Sequence, residues 1–213
     1  MMLATRLHLP RQLPRLSRGL STLPNNPSIN VFPHPTQPSS YLLTYLTRDP
    51  PNTVLAIGTT STIPPTPNSF QQNPRFLTIL DEVLAKHAIN DPGLKAQAQA
   101  LASPGGFTFI QNPSRKDRGA GGGGGASAEG GAGGAGVGGW VHLSDTRNPP
   151  DFGRIAWPED IFGSVEVDGK GEIVGNYQSS GTYRIVTNQG ILGLSPFLQE
   201  KLIARLREEE SKA

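Results

Sequence analysis

Apolar residues recur at helical spacing in three segments of the chain, and each segment begins with a proline that follows a capping residue. These starts are Asn73-Pro74, Asp91-Pro92 and Ser195-Pro196. Asn, Asp and Ser side chains accept bonds from free amides at a helix N-terminus, and proline at the first helical position loses no hydrogen bond that the helix needs. The spacing therefore predicts two helices in the N-terminal half and a closing helix at the C-terminal end.

The closing helix carries an unfavourable charge pattern at its C-terminal end. Glu208, Glu209 and Glu210 follow one another there, and the negative end of the helix dipole disfavours acidic side chains. We therefore expect the last turn of this helix to fray.

Short segments rich in β-branched and aromatic residues lie between turn signals and predict strands. They are residues 54–57, 107–110, 140–143, 161–167, 172–174 and 182–187. Asp168-Gly169 is a strong hairpin signal between two of them, whereas residues 41–46 fit a helical turn or a strand equally well. Together with the helices, this pattern predicts an α+β fold with a small, mostly antiparallel sheet.

Residues 113–139 have a different composition from the rest of the chain. Thirteen of the 26 glycines lie between Gly119 and Gly139, among alanines and almost no apolar side chains. Such a segment loses much conformational entropy on ordering and has little to bury in return. We expect a disordered insertion that splits a single α+β domain spanning 41–210, because flanking halves of about seventy residues would each be marginally stable alone.

Residues 21–40 contain five prolines and no charged residue. Proline removes a backbone donor and favours extended, solvated conformations. We therefore expect an extended, poorly packed lead-in before the domain.

The first twenty residues have the composition of a mitochondrial transit peptide. Their only charged side chains are four arginines, and no acidic residue precedes Asp49. Arginines interrupt every apolar run, which argues against a secretory signal. Arg18-Gly19-Leu20-Ser21 resembles a matrix-protease site, so we expect cleavage near Leu20 and a location in the mitochondrial matrix. The alternative is a disordered basic tail that contacts anionic lipid or RNA.

Composition excludes several classes of protein. The chain has no cysteine, so it has no disulfide scaffold, no cysteine-ligated metal and no cysteine nucleophile. No run of eighteen apolar residues predicts a membrane-spanning helix, although peripheral membrane contact stays open. Loss of residues 1–20 would leave 15 basic against 17 acidic residues, a net charge of −2 instead of +2. Nucleic acid is therefore an unexpected partner on charge alone.

The densest polar cluster lies between residues 142 and 160. Its candidate binding residues are His142, Asp145, Arg147, Asp151, Arg154, Trp157, Glu159 and Asp160. His, Ser and Asp occur together here, but neighbours in sequence cannot usually adopt triad geometry, and no G-x-S-x-G motif is present. Histidine spacing does not predict a metal site. We therefore assign no catalytic residue, metal or cofactor, and favour a loop held by Asp–Arg pairs, which is also the best candidate for a binding site.

Three other motifs carry less weight. The G-x-G-x-x-G match at 131–136 lies inside a glycine run without the strand and helix that a dinucleotide site needs. Residues 58–62 could present hydroxyls to an anion, but no lysine is near, and a structural turn is the favoured interpretation. Tyr177, Tyr183, Arg184 and Trp157 could form an RNA-stacking surface, yet no RNA-binding signature accompanies them.

Residues 157–165, 181–187 and 190–196 read WPEDIFGSV, GTYRIVT and GILGLSP. This text resembles a family of uncharacterised fungal mitochondrial proteins, mainly over residues 140–206 and loosely over 51–112. The resemblance implies a mitochondrial location. It implies no activity, cofactor or functional residue.

Location and the lack of a catalytic constellation predict a non-enzymatic accessory or assembly factor that binds a protein partner or complex, in respiratory-chain biogenesis or mitochondrial translation. Two alternatives stay open: a small enzyme or ligand-binding domain that uses the loop from His142 to Asp160, and an RNA-contacting factor near the mitochondrial ribosome. If this loop and residues 58–62 converge on one deep pocket, the enzyme gains support.

Overall fold

The computed structural model describes residues 21–103, 138–150 and 154–212. Antiparallel sheets combine with three helices, which confirms the α+β class. The helices are α1 (Pro74–His87), α2 (Pro92–Ala102) and α3 (Pro196–Lys212). None of the helices in these ranges is both long and apolar enough to cross a membrane.

The strands form three antiparallel sheets. The first, in the order β1-β2-β3-β4-β5, contains β1 (Ser21–Leu23), β2 (Asn26–Pro33), β3 (Tyr41–Thr44), β4 (Gly58–Thr60) and β5 (Phe70–Gln72). The second, in the order β6-β7-β8, contains β6 (Gly139–Ser144), β7 (Ile161–Val167) and β8 (Gln178–Ser179). The third pairs β9 (Val186–Thr187) with β10 (Gly190–Ile191).

All three predicted helix starts are confirmed, and each capping side chain accepts a backbone amide. Asn73 accepts from Arg75 at 3.0 Å, Asp91 from the amide of Leu94 at 2.9 Å, and Ser195 from the amide of Leu198 at 3.2 Å. The second carboxylate oxygen of Asp91 also accepts the hydroxyl of Ser195. The N-termini of α2 and α3 are therefore joined through their own caps.

The prediction that the C-terminal end of α3 frays is wrong. The helix continues to Lys212, because Glu209 accepts hydrogen bonds from three cations. Arg75 of α1 donates at 2.6 Å, Arg205 at 2.5 Å and Lys212 at 3.1 Å. Arg205 also reaches Glu82 of α1 at 3.1 Å. These charges stabilise the last turn against the helix dipole and attach it to α1.

Residues 21–40 are not the poorly packed lead-in that proline content predicts, because they supply two strands of the largest sheet. Ile29 is fully buried and Val31 is 6% exposed. The two prolines of β2 lie where a missing backbone N–H costs the sheet no hydrogen bond. Pro33 is the last residue of β2, and Pro27 is not paired with a residue of either neighbouring strand. Proline content here marks strand ends and turns instead of a loose segment.

Some strand predictions are confirmed and others need correction. Residues 140–143 and 161–167 form β6 and β7, and residues 41–44 resolve as β3. Residues 54–57 make a turn before β4 instead of a strand, although 55–57 are buried. Of residues 182–187 only the last two form a strand, and 172–174 contribute a single bridge, between Ile173 and Val167. Residues 107–110 and 113–137 lie outside the described residues.

One hydrophobic cluster joins the segments on both sides of residues 104–137. It includes Ile29, Leu43, Ile57, Phe76, Leu94, Val141, Val165, Leu192, Leu202 and Leu206. Because strands and helices from both halves bury side chains in the same cluster, neither half has a separate core.

A glycine in β7 allows a close approach beside the candidate site. A Cβ atom on Gly163 would lie 2.6 Å from the ring of Tyr177 and 2.2 Å from the carbonyl oxygen of Gln178. These distances are far below van der Waals contact, so only glycine lets β8 and this ring pack across the strand. The ring therefore covers β7 at Gly163, on the face of the sheet opposite to the Ser164 side chain.

Candidate functional site

Arg147 lies at the centre of the polar cluster, and its side chain is only 4% exposed. Its Nε donates to Asp160 at 2.7 Å and its Nη1 to the carbonyl of Ile185 at 2.8 Å. Its Nη2 donates to the carbonyls of Glu159 at 3.0 Å and Arg184 at 2.8 Å. The guanidinium therefore fixes three chain segments to one another, as the predicted Asp–Arg pairing requires.

Asp145 has both carboxylate oxygens occupied. Oδ1 accepts the amides of Arg147 at 2.8 Å and Gly193 at 2.9 Å, and Oδ2 accepts the hydroxyl of Tyr183 at 2.8 Å. Burial raises the pKa of Asp145, while the nearby Arg147 and these donors oppose the rise. The ring centroids of Tyr183 and Phe162 lie 4.3 Å apart. Burial raises the pKa of the Tyr183 hydroxyl well above its ordinary value.

Asp160 completes the cluster at the start of β7. Besides Arg147, it accepts the side-chain amide of Asn148 at 3.2 Å, and its own carbonyl accepts the amide of Asp145 at 2.7 Å. Both acids and the arginine are thus satisfied inside the protein. The arrangement has the chemistry of a structural cross-link, with no carboxylate oxygen left free for a substrate.

His142 lies apart from this cluster, on β6. It stands directly opposite Ser164 of β7, with its Nδ1 2.7 Å from the serine Oγ. Partial burial lowers the pKa of His142, which favours the uncharged ring. The pair contributes to a groove of about 450 Å³, which we call the His142 groove. Its lining residues are His142, Ile155, Ala156, Pro158, Ile161, Ser164, Ser180 and Thr182.

Trp157 and Ile155 project from the segment that follows the polar cluster. Trp157 is 70% exposed and Ile155 41% exposed. They border a second groove of about 300 Å³, the Trp157 groove. Its lining residues are Asn148, Pro149, Pro150, Arg154, Ile155, Ala156, Trp157 and Pro158. Prolines at 149, 150 and 158 keep the preceding backbone extended, which presents the side chains outward.

The predicted site residues therefore separate into groups. Asp145, Arg147 and Asp160 are buried together, His142 faces its own groove, and Arg154 and Trp157 line the other groove. Glu159 has an exposed side chain and enters the cluster only through its carbonyl oxygen. Asp151 lies outside the described residues.

Sequence reasoning missed two participants. Ser164 pairs with His142, and the signal in the sequence is a serine between apolar residues of a strand, where a hydroxyl needs a hydrogen-bond partner. The sequence makes Tyr183 a candidate for stacking on RNA, but its ring packs against the core and its hydroxyl donates to Asp145. Tyr177 also packs against the core. The four proposed RNA-contacting side chains therefore do not form one exposed surface.

Residues 58–62 do not join either groove. Thr60 and Thr62 hydrogen-bond to Ser69, at 3.0 Å and 2.8 Å, and Ser69 in turn bonds to Thr66. These hydroxyls close a local turn, as the structural interpretation predicts. Neither groove is lined by any of these residues.

Across the described ranges, no three His, Asp or Glu side chains are placed to hold a metal ion. Comparisons with protein-family models, with curated proteins and with solved structures found no match. The resemblance to fungal mitochondrial proteins therefore stays a prediction, and function must be argued from the residues themselves.

Proposed function

We propose that this protein is a non-enzymatic mitochondrial accessory or assembly factor that binds a protein partner through the surface formed by Pro149, Pro150, Arg154, Ile155 and Trp157, here named the Trp157 face. The observation that carries the proposal is the 70% exposure of Trp157 beside a groove lined by prolines and aliphatic side chains. Tryptophan and arginine are the residues most enriched among those that dominate binding energy at protein interfaces.

The backbone beneath the Trp157 face is held in place. The carbonyl of Trp157 accepts the amide of Asp160 at 2.8 Å, and the carbonyl of Pro158 accepts the hydroxyl of Thr182 at 2.8 Å. Asp160 is in turn bonded to Arg147. A partner would therefore meet an anchor whose backbone is already ordered, which lowers the entropic cost of binding.

The two alternative functions have less support. Among the described acids of the loop from His142 to Asp160, an enzyme could use only Glu159, because the carboxylates of Asp145 and Asp160 are engaged internally. An RNA-contacting factor would need exposed aromatic side chains on which bases can stack, but Tyr177 and Tyr183 pack against the core. The mitochondrial setting rests on the composition of residues 1–20, and respiratory-chain biogenesis or translation is the process we propose for it.

The test is purification of the tagged full chain from mitochondria, with identification of co-purifying proteins, for the unmodified chain and two variants in parallel. Trp157→Ala removes the anchor, and Val174→Ala, which trims a residue 60% exposed outside both grooves, is the matched control. We expect the same partner with the unmodified chain and Val174→Ala, and about thirtyfold weaker binding with Trp157→Ala. Equal recovery with all three chains would refute the assignment of this face.

A further inference from the structure

The described residues that line the His142 groove carry no net charge. The described side chains in it are aliphatic, hydroxyl-bearing or the neutral imidazole of His142. A charged ligand would lose its hydration there without gaining an opposite charge, which is strongly unfavourable. The lining therefore selects against ions and zwitterions.

The hydrogen-bonding capacity of the groove is also limited. The hydroxyls of Ser180 and Thr182 already donate to the carbonyls of Ile161 at 2.5 Å and Pro158 at 2.8 Å. In the pair formed by His142 and Ser164, one group donates to the other, and one donor stays free. If the serine hydroxyl donates to Nδ1, the free donor is Nε2–H of the imidazole. If Nδ1–H donates to the serine oxygen, the free donor is the serine O–H. The described side chains of the lining thus offer one donor to a ligand in either tautomer.

We infer that the His142 groove binds a small, uncharged and mainly apolar molecule that carries one hydrogen-bond acceptor, such as a ketone, an ester or an ether. The apolar part packs on Ile155, Pro158 and Ile161, and the acceptor meets the donor of the pair formed by His142 and Ser164. A volume of about 450 Å³ falls in the usual range for small-molecule sites. This site goes beyond partner binding at the Trp157 face: the two grooves share Ile155, Ala156 and Pro158, but the ligand chemistry is argued from the pair formed by His142 and Ser164, which lies outside that face.

Three small aromatic compounds of similar size and shape test whether the groove selects a neutral ligand with one acceptor, using the full chain. Acetophenone is neutral and has one carbonyl acceptor, ethylbenzene lacks the acceptor, and benzoate adds a charge. Nuclear magnetic resonance titrations would follow the ring signals of His142 and the methyl signals of Ala156 and Ile161. We expect acetophenone to shift these signals, ethylbenzene to bind about three- to tenfold more weakly, and benzoate at least about tenfold more weakly.

Two serine variants locate the site. Ser164→Ala removes half of the polar pair, and Ser179→Ala makes the same change on neighbouring β8, outside the groove lining. We expect acetophenone to bind about three- to tenfold more weakly to Ser164→Ala, because this variant removes either the donor itself or the partner that orients the imidazole N–H, and unchanged to Ser179→Ala. Binding of benzoate as tight as that of acetophenone, no shift at His142, or equal acetophenone binding by both variants would each overturn the inference. Loss of partner capture by Trp157→Ala has no bearing on these outcomes.

Discussion

Arg147 places a positive charge where water has almost no access, between two carboxylates that are themselves buried. Each charge pays a desolvation cost that only complete pairing offsets. The cluster meets this condition because four acceptors surround the guanidinium and donors occupy all four carboxylate oxygens. At the scale of one residue, Arg147 determines whether this part of the protein is stable.

Replacing Arg147 with methionine keeps most of the side-chain volume and removes the charge. Asp145 and Asp160 are then left buried without their cation, so we expect the free energy of unfolding to fall by about 3–5 kcal/mol. Urea unfolding monitored by circular dichroism would measure the change. Arg154→Met is the matched control, because Arg154 is exposed, and it should change stability by less than about 0.5 kcal/mol. A similar small effect of Arg147→Met would contradict the structural role.

The sequence identifies the charged residues of this cluster as candidates for binding, but it does not show that their side chains bind one another and the backbone. The Asp–Arg pairing followed from charge and proximity in the chain. Three further partners are backbone groups of Arg184, Ile185 and Gly193, which lie 37 to 48 positions from the residues that contact them. A backbone carbonyl or amide has no sequence signature, so only the fold reveals that the acids are fully occupied.

At the scale of elements, the ends of helices α1 and α3 are held together by charge. Glu209 contacts cations from both helices, and these cations lower the pKa of its carboxyl from the ordinary 4.5 to about 2. A carboxyl whose pKa is lower in the folded state stabilises the fold at pH values above its ordinary pKa. That contribution disappears as the pH falls toward the folded-state value.

Replacing Glu209 with glutamine should therefore destabilise the protein in a pH-dependent way. We expect the difference in unfolding free energy from the unmodified chain to be largest above about pH 4.5 and to shrink toward zero near pH 2. Added salt should reduce it at neutral pH, because the pairs are near the surface. Glu208→Gln controls for loss of one acid, since Glu208 makes none of these three bonds. A difference that grows on acidification would disprove the argument.

Helices were easier to predict than strands for a physical reason. A cap such as Asn73 or Asp91 acts within three residues of its helix, so the signal is local. A short strand such as β9 exists only because β10 lies beside it, and its partner is set by the whole fold. Leu55, Ala56 and Ile57 are buried, as their apolar character predicts, but burial alone does not make them a strand.

At the scale of the whole molecule, the N-terminal strands belong to the domain. The side-chain amide of Asn26 donates to the carbonyl of Leu192 at 2.9 Å, and Gln199 of α3 donates to Ser28 at 3.0 Å. Strands β1 and β2 therefore contact the C-terminal part of the chain as well as β3. The proline count of residues 21–40 concealed this, because composition does not report where in a sheet each proline falls.

Two truncations distinguish these descriptions of residues 21–40. A chain that begins at Ser21 should unfold cooperatively with the same midpoint temperature as the full chain. A chain that begins at Tyr41 loses the buried side chains of Leu23, Ile29 and Val31, each worth about 1.5–3 kcal/mol, against a typical total stability of about 5–15 kcal/mol. We expect it to lack a cooperative thermal transition by calorimetry. Equal melting of both chains would restore the lead-in interpretation.

The bond between Asp91 and Ser195 has a consequence for how the chain folds. It joins positions 104 residues apart, on opposite sides of the glycine-rich tract. Closing so long a loop carries an entropic cost, and such distant pairings slow folding relative to local contacts. Helix α2 can form its first turn early, with the local bond from the Leu94 amide to Asp91. The bond from Ser195 to Asp91 forms only when the N-termini of α2 and α3 come into contact. Shortening the tract between Ser103 and Gly138 should therefore raise the folding rate and the free energy of unfolding together, and only slightly, because the cost of closure grows slowly with loop length.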